Sequence, residues 1–295
     1  MEEIEHKYVE VNGLKLHIAE TGSGSSPVVV FLHGFPEIWY SWRYQMIAVA
    51  KAGYRAIAPD FRGYGLSDQP PQPEKTTFLD FVNDILAILD ALSISKDFGS
   101  AILSLFVLLH GERVSGIITL GVPFLPPQSP KHNENLPEAE ADFVRLDAKT
   151  VVRNVYVLFS RSEIPIANEN QEIMDIVQPS TLLPPWFSEE DLAAYGALYE
   201  KSGFQTALQV PYRSLLEQAN ITDPRVHVPA LFIAGENDYF LKFPGVKDYI
   251  SGGLKSLVPN LQMVNLPEGT HFVQEQLPDE VNRLVLNFFA RNNQS

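Results

Sequence analysis

The sequence predicts an α/β protein in which a mainly parallel central sheet is interrupted by a helical insertion. Short apolar runs alternate with helical periodicity over the first third of the chain, and the alternation resumes near its end. Residues 138–218, between these two parts, contain helical periodicity and no run typical of a strand. We therefore expect residues 1–123 and 224–295 to form the core and residues 124–223 to form a helical cap.

The strands and helices can be placed from these patterns. Apolar and β-branched runs predict the main strands, at residues 28–32, 54–58, 116–120, 230–235 and 261–266. An Asn12-Gly13 turn predicts an antiparallel hairpin of residues 8–11 and 14–19. Helical spacing of apolar residues predicts helices that begin near Ser41 and cover residues 78–92, 101–109 and 279–292.

The composition favours a folded enzyme or binding protein. The chain has 295 residues, of which 45% are hydrophobic, and a formal net charge of −14 that repels phosphate backbones and anionic lipids. We expect no nucleic-acid and no membrane partner. Cysteine is absent, which excludes disulfides and thiolate metal sites. Neither a signal-peptide pattern nor a bilayer-length apolar run occurs, so we expect a cytoplasmic protein. We expect it to be a monomer or a homodimer.

One short segment supplies a candidate nucleophile. An α/β-hydrolase carries its nucleophile on a tight strand-to-helix turn, followed along the chain by an acid and then by a histidine. No Gly-x-Ser-x-Gly pentapeptide is present, which argues against a serine hydrolase. Only Ser95-Lys96-Asp97-Phe98-Gly99 has the small-x-acid-x-small pattern at the start of a predicted helix. Asp97 is therefore the candidate nucleophile.

Asp238 and His271 occupy the two remaining positions of this order. Each follows a predicted strand near the end of the chain. A carboxylate nucleophile needs no activating base, so the histidine is available to deprotonate the water that hydrolyses the ester. Taken singly, Asp97 could be a helix N-cap, Asp238 a turn residue and His271 a loop histidine. Their joint order favours catalysis.

The turn His33-Gly34-Phe35-Pro36 follows the first buried strand. Backbone N–H groups in such a turn can point at a developing oxyanion, and we expect the amides of Phe35 and Phe98 to form the oxyanion hole. The alternative is an ordinary turn that ends at a proline. We expect His33, Pro36 and Trp39 to line the substrate pocket.

Six motifs are spread along the chain: His33-Gly34-Phe35-Pro36-Glu37 with Trp39 and Trp42, Asp60-x-Arg62-Gly63-Tyr64-Gly65-x-Ser67-Asp68, Lys96-Asp97-Phe98-Gly99, Gly121-Val122-Pro123, Gly235-x-x-Asp238 and Gly269-Thr270-His271-Phe272. Together they resemble the plant soluble epoxide hydrolase family, from about Tyr8 to Ala290. The resemblance implies an epoxide substrate and no cofactor or metal ion. It implies that Asp97 attacks an epoxide carbon while two cap tyrosines hydrogen-bond the ring oxygen, and that His271, paired with Asp238, activates the hydrolytic water.

Two stretches depart from the family pattern. Only four residues separate the predicted helix end at Leu92 from Asp97, and relative to the family about six residues, one typical strand's length, are missing. We expect residues 88–95 to be recruited as a short central strand, because an empty position would leave backbone groups of both neighbouring strands unpaired. The start of the cap, residues 126–141, lacks the family's first lid tyrosine, whereas Tyr212 matches the second.

Tyr195 and Tyr199, four residues apart on a predicted helix, are interpreted as packing residues. Three functions remain open. The first is an epoxide hydrolase that these two deletions weaken, and the second is a scaffold that binds a small hydrophobic ligand without efficient turnover. The third, a haloalkane dehalogenase, would need a halide-binding donor such as Trp beside the nucleophile, where Phe98 has none. Diol formation from a simple aryl epoxide distinguishes the first from the second.

Overall fold

Eight strands form one mixed sheet at the centre of the molecule. A computed structural model of the chain describes residues 4–88, 92–96, 98–126, 139–169, 171–209, 221 and 223–292. The strands run across the sheet in the order β1-β2-β4-β3-β5-β6-β7-β8. β2 is antiparallel to β1 and β4, and the other neighbours are parallel. Their bounds are β1 Glu5–Val11, β2 Leu14–Thr21, β3 Val28–Leu32, β4 Arg55–Pro59, β5 Leu92–Lys96, β6 Ile117–Leu120, β7 Ala230–Gly235 and β8 Leu261–Leu266.

Helices account for the remaining regular structure of the described residues. The α-helices are α1 Arg43–Lys51, α2 Phe78–Ile88, α3 Phe98–His110, α4 Ala139–Val144, α5 Ala148–Phe159, α6 Glu189–Ser202, α7 Gln205–Gln209, α8 Val246–Asp248, α9 Leu254–Leu257, α10 Val273–Gln276 and α11 Pro278–Asn292. Shorter 3₁₀ turns cover Trp39–Trp42, Pro73–Lys75, Gly111–Arg113, Ile173–Ile176 and Tyr239–Lys242, and Tyr249–Gly253 is a π-helical turn. Where the structure describes the chain between β6 and β7, every regular element is helical.

The α/β fold predicted from the sequence is confirmed. The strands predicted at residues 28–32, 230–235 and 261–266 have the predicted bounds. The strand predicted at 54–58 is shifted by one residue at both ends, and the one predicted at 116–120 begins one residue later. Continuous apolar runs form β3 and β7 because both strands are buried on both faces. Within the described ranges, no helix is both long enough and apolar enough to cross a bilayer.

The central position of the sheet is filled by β5. This strand pairs in parallel with β3 on one side and with β6 on the other. The expected recruitment of a strand is therefore confirmed, with bounds of Leu92–Lys96 instead of 88–95. The helix predicted for residues 78–92 is too long, since Leu92 belongs to β5, whereas α2 covers Phe78–Ile88 of the described residues. Hydrogen bonds between β5 and the buried strands β3 and β6 stabilise the strand more than the apolar spacing that continues to Leu92 stabilises a helix.

The topology brings the ends of several strands that precede predicted site residues to one edge of the sheet. β3, β5, β6, β7 and β8 are mutually parallel, so their carboxyl ends lie at the same edge. Ligands of open α/β sheets bind outside this edge. His33 follows β3, Asp97 follows β5 in the sequence, Gly121 follows β6, and Asp238 and His271 come after β7 and β8.

Candidate active site

The structure brings Asp238 and His271 together although 33 residues separate them in the chain. The Nδ1 atom of His271 lies 3.0 Å from each carboxylate oxygen of Asp238. Both side chains are buried, with exposed fractions of 2% and 0%. Because a carboxylate only accepts hydrogen bonds, Nδ1 carries the proton and Nε2 presents the lone pair. The imidazole therefore has the tautomer of a general base.

Three glycines allow the loops of this pair to approach each other. A Cβ atom on Gly235, at the end of β7, would collide with the carbonyl oxygen of Gly269, which lies two residues before His271. A Cβ atom on Gly121 would lie 3.2 Å from an Asp238 oxygen and 3.4 Å from Nδ1 of His271. The end of β6 thus lies directly against the acid–histidine pair. Gly121 also has a φ of +72°, a left-handed conformation that favours glycine.

Asp97 and Tyr212 lie outside the described residues, as do residues 127–138 of the region without a lid tyrosine. The elements that flank Asp97 are described. β5 ends at Lys96, which pairs with Leu120 at the end of β6, and α3 begins at Phe98. The predicted strand-to-helix turn therefore follows β5, the direct neighbour of β6. Gly121, at the end of β6, lies against both Asp238 and His271.

His33 is buried and held in one tautomer. Its Nδ1 atom lies 2.8 Å from the carbonyl oxygen of Gly34, and its Nε2 atom accepts the backbone N–H of Phe61 at 3.1 Å. A carbonyl can only accept and an N–H can only donate, so the proton is on Nδ1. Burial lowers the pKa of His33 from 6.5 to about 4. The neutral ring thus connects the turn after β3 with the backbone of Phe61 by hydrogen bonds.

We expect His33 to make folding stability depend on pH between about 6.5 and 4. Between these two pH values His33 is protonated in the unfolded chain and neutral in the folded chain. The free energy of unfolding therefore falls as the pH decreases. The loss amounts to on the order of 3 kcal/mol. Urea unfolding at pH 7 and pH 4.5 should therefore show a larger loss for the wild type than for His33→Gln. Equal losses would mean that His33 is protonated in the folded protein.

The predicted oxyanion residues occupy different kinds of position. Phe98 is the first residue of α3, where backbone N–H groups have no partner within the helix and the helix dipole favours negative charge. Phe35 lies in the turn after β3, and its ring packs against Phe143 of α4 and Phe204 before α7. The peptide bond between Phe35 and Pro36 is cis. Both turns lie at the carboxyl edge of the sheet.

Gly99 shows how closely these two turns approach. A Cβ atom on Gly99 would lie 2.5 Å from the carbonyl oxygen of His33 and 2.7 Å from that of Leu32. The first turn of α3 thus packs directly on the backbone at the end of β3.

We expect Gly99→Ala to lower the free energy of unfolding by about 1 to 3 kcal/mol, because backbone atoms would have to shift. Gly111→Ala is the matched control, since a Cβ atom there meets nothing within 4 Å. We expect the control to change stability by less than about 0.5 kcal/mol. Urea midpoints check both values, and equal midpoints would contradict the close packing of α3 on β3.

Trp39 lies on the hairpin side of the molecule. Its ring makes edge contact with His6 at 4.8 Å and with Tyr40 at 5.5 Å, and its backbone N–H donates to Asp60. His17 of β2, which binds the same Asp60 carboxylate, is 6.2 Å from the Trp39 ring. These contacts indicate that the Trp39 ring packs between the 3₁₀ turn and the hairpin, and its place in the substrate pocket stays a prediction.

A buried polar network beside His271 was not identified from the sequence. The Glu275 carboxylate accepts hydrogen bonds from Arg43, Tyr156 and Tyr195, which are 232, 119 and 80 residues away in the chain. One signal was available: Glu275 is an acidic residue one helical turn after His271, next to the apolar pair Phe272-Val273. Its partners could not be read from the sequence, because they lie on three other elements.

Tyr195 and Tyr199 are fully buried, in agreement with the packing interpretation, although both also use their hydroxyls. The Tyr199 hydroxyl donates to the carbonyl oxygen of Glu37 at 3.2 Å, and Tyr195 donates to Glu275. The Glu37 side chain accepts the N–H of Gly34 and a hydrogen bond from Gln274. Among the residues that the structure describes, no group of three or more His, Asp or Glu side chains could hold a metal ion.

Comparisons with known proteins agree with this geometry. Residues 27–278 match the model of the alpha/beta hydrolase fold family. Epoxide hydrolase 3 of Siraitia grosvenorii is 36% identical over 325 residues, which cover 99% of this chain and 100% of that protein. The aligned length of 325 positions exceeds the 295 residues of this chain, so the chain has gaps relative to that protein. Epoxide hydrolase A of Mycobacterium tuberculosis is 30% identical, with 96% and 97% of the two chains covered.

Solved structures give the same result. The crystal structure of an epoxide hydrolase from Vigna radiata superposes with a TM-score of 0.89 at 33% identity, and 99% of each chain is covered. A laboratory-evolved variant of potato epoxide hydrolase superposes with a TM-score of 0.86 at 34% identity, with 98% of this chain and 99% of that chain covered. Sequence and fold are thus similar along nearly the whole chain.

Proposed function

Because this chain belongs to the epoxide hydrolase family of the α/β-hydrolase fold, we propose that it adds water to an epoxide and releases a vicinal diol by way of an ester on Asp97. The observation that carries the residue assignment is the buried hydrogen bond between His271 and Asp238. It lies at the carboxyl edge of the sheet, where the sequence also carries Asp97, directly after β5.

In the first step, the Asp97 carboxylate attacks an epoxide carbon. A C–O bond to the enzyme forms while a ring C–O bond breaks, and Tyr212 donates its proton to the ring oxygen. The product is a hydroxyalkyl ester. The buried aromatic surroundings of Phe98, which packs on Tyr64 at 5.9 Å, support an apolar substrate at this turn.

In the second step, Nε2 of His271 takes a proton from water, and the hydroxide attacks the ester carbonyl carbon. The N–H groups of Phe35 and Phe98 stabilise the resulting oxyanion, and Asp238 stabilises the imidazolium. The tetrahedral intermediate expels the alkoxide of the diol and leaves Asp97 as a carboxylic acid. The alkoxide then takes the proton of this acid, so that Asp97 returns to a carboxylate. The proton on His271 then restores the Tyr212 phenol through solvent, which balances the addition of one water.

The proposal assigns residues 1–123 and 224–295 to the catalytic core and residues 124–223 to a cap over the site. The helical character of α4 to α7 supports a cap, as does the packing of Phe35 on Phe143 and Phe204. His33, Pro36 and Trp39 then border the pocket from the core side. The proposed enzyme is a cytoplasmic monomer or homodimer that needs no cofactor.

We expect the wild-type protein to convert a simple aryl epoxide such as styrene oxide to its diol over many turnovers. The rate should be about 100- to 1,000-fold below that of a relative with two lid tyrosines, because one missing donor costs about 2.7 to 4 kcal/mol. Chromatography of the diol, with such a relative as positive control, measures this. Saturable binding of the epoxide without any diol would favour the ligand-binding scaffold, which residues 126–141 support by their lack of tyrosine.

A further inference from the structure

Glu275 receives three hydrogen bonds in the protein interior. The hydroxyls of Tyr156 and Tyr195 donate to its Oε1 atom at 2.8 Å and 3.1 Å, and Arg43 donates to its Oε2 atom at 2.5 Å. These four residues are called the Glu275 network. Only 1% of the Glu275 side chain and 5% of the Arg43 side chain are exposed. A carboxylate buried to this degree is tolerated only while its partners remain in place.

The donors come from both sides of the predicted boundary between cap and core. Arg43 begins α1 of the core, whereas Tyr156 lies in α5 and Tyr195 in α6, in the helical segment between β6 and β7. Arg43 also pairs at 2.8 Å with Asp191, which belongs to α6. One guanidinium therefore holds a carboxylate of the core and one of the helical segment. The Glu275 network is complete only when the helical segment is seated on the core.

The charges keep every donor in its donating form. Burial alone would lower the pKa of Arg43, but the Glu275 carboxylate raises it above its usual value. Burial, followed by the charge of Glu275, raises the pKa of Tyr156 and of Tyr195 well above 10. Both phenols thus remain protonated and continue to donate to the carboxylate.

Glu275 is connected to His271 through the backbone of one short segment. It lies in the single turn of α10, whose N-cap is Phe272, the residue after His271. The backbone N–H of Glu275 donates to the carbonyl oxygen of Phe272 at 3.1 Å. The Tyr156 ring also stacks on the Phe272 ring, with centroids 4.3 Å apart and planes 9° from parallel. Tyr156 therefore contacts the His271 loop at two points, through its ring and through its hydroxyl.

We propose that Glu275 is a positioning residue that transmits the seating of the helical segment to the imidazole of His271. With the Glu275 network intact, α10 is fixed and His271 keeps its hydrogen bond to Asp238. With the hydroxyl donors removed, α10 loses two of its three anchors on that carboxylate, and the imidazole is held less accurately. The kinetic test of this role rests on the proposed function, because it measures the hydrolysis of an ester by water that His271 activates.

The test uses the double variant Tyr156→Phe/Tyr195→Phe in the full chain. Phenylalanine keeps both rings, and with them the stacking on Phe272, and removes only the two hydroxyls. The matched control is Tyr40→Phe, whose hydroxyl donates to Asp191 and not to Glu275. Single-turnover kinetics with styrene oxide separate ester formation from ester hydrolysis. Proton NMR of the free enzyme monitors the Nδ1 proton that His271 donates to Asp238.

We expect ester hydrolysis in the double variant to fall about 10- to 100-fold, because small misplacement of a catalytic group has effects of this size. Ester formation should stay within about twofold, since His271 does not take part in it. The Nδ1 proton signal should shift or broaden in the double variant and stay unchanged in Tyr40→Phe. Should the double variant not fold by near-ultraviolet circular dichroism, the two single variants carry the same comparison.

A folded double variant that keeps the wild-type hydrolysis rate and Nδ1 signal would overturn the positioning role. The same conclusion would follow if Tyr40→Phe had the same effect on both measurements, since the change would then reflect general loosening. Failure of the proposed function gives a different result: the wild type forms no ester at all. The NMR comparison decides the positioning role even then.

Discussion

Replacing Asp97 by alanine is expected to abolish diol formation, with kcat reduced by about 10³- to 10⁶-fold. The residue supplies the only covalent bond between enzyme and substrate in the proposed reaction, and loss of a nucleophile has effects of this order. His271 and Asp238 are separate from it in the chain and should keep their hydrogen bond. The loss should therefore appear as an absence of chemistry in a folded protein, with epoxide binding retained.

Asp279→Ala is a suitable control, because Asp279 is an exposed residue in the first turn of α11. It removes a carboxylate from an exposed position that is not part of the proposed site. Diol formation at the wild-type rate by Asp97→Ala would show that another group attacks the epoxide.

Replacing His271 by glutamine is expected to separate the two steps of the reaction. Ester formation should stay within about tenfold of the wild type, because the Asp97 carboxylate needs no base. Ester hydrolysis should fall by about 10³-fold or more, since no other group takes the proton of the water. Rapid-quench measurement of bound and released product over one turnover gives both rates.

The matched control is His227→Gln, which changes an exposed histidine whose ring lies 3.3 Å from Asp223. It should leave both rates unchanged. Equal slowing of both steps in His271→Gln would point to a general structural effect and contradict the role of His271 as base.

The sequence predicted those parts of the fold that local patterns determine. β3, β7 and β8 were placed with their bounds because their apolar runs end at turn residues. The start of the helix at residue 78 was predicted from the helical spacing of apolar residues, and α2 does begin at Phe78. The chain order of Asp238 and His271 predicted a pair that the structure brings within hydrogen-bond distance.

The sequence did not predict features that depend on distant partners. The helix predicted for residues 78–92 overlaps β5 at Leu92, because the pairing of a strand between β3 and β6 is a property of the whole sheet. The partners of Glu275 come from three helices, and no pattern within one helix indicates them.

The central claim is that hydrolysis proceeds through an ester on Asp97 that His271 helps to cleave. Its most direct test is mass spectrometry of His271→Gln protein mixed with excess styrene oxide. We predict that the intact mass increases by the mass of one epoxide and that, after proteolysis, the increase is found on the peptide that contains Asp97. An unmodified protein, under conditions in which the wild type turns over the same epoxide, would contradict the claim.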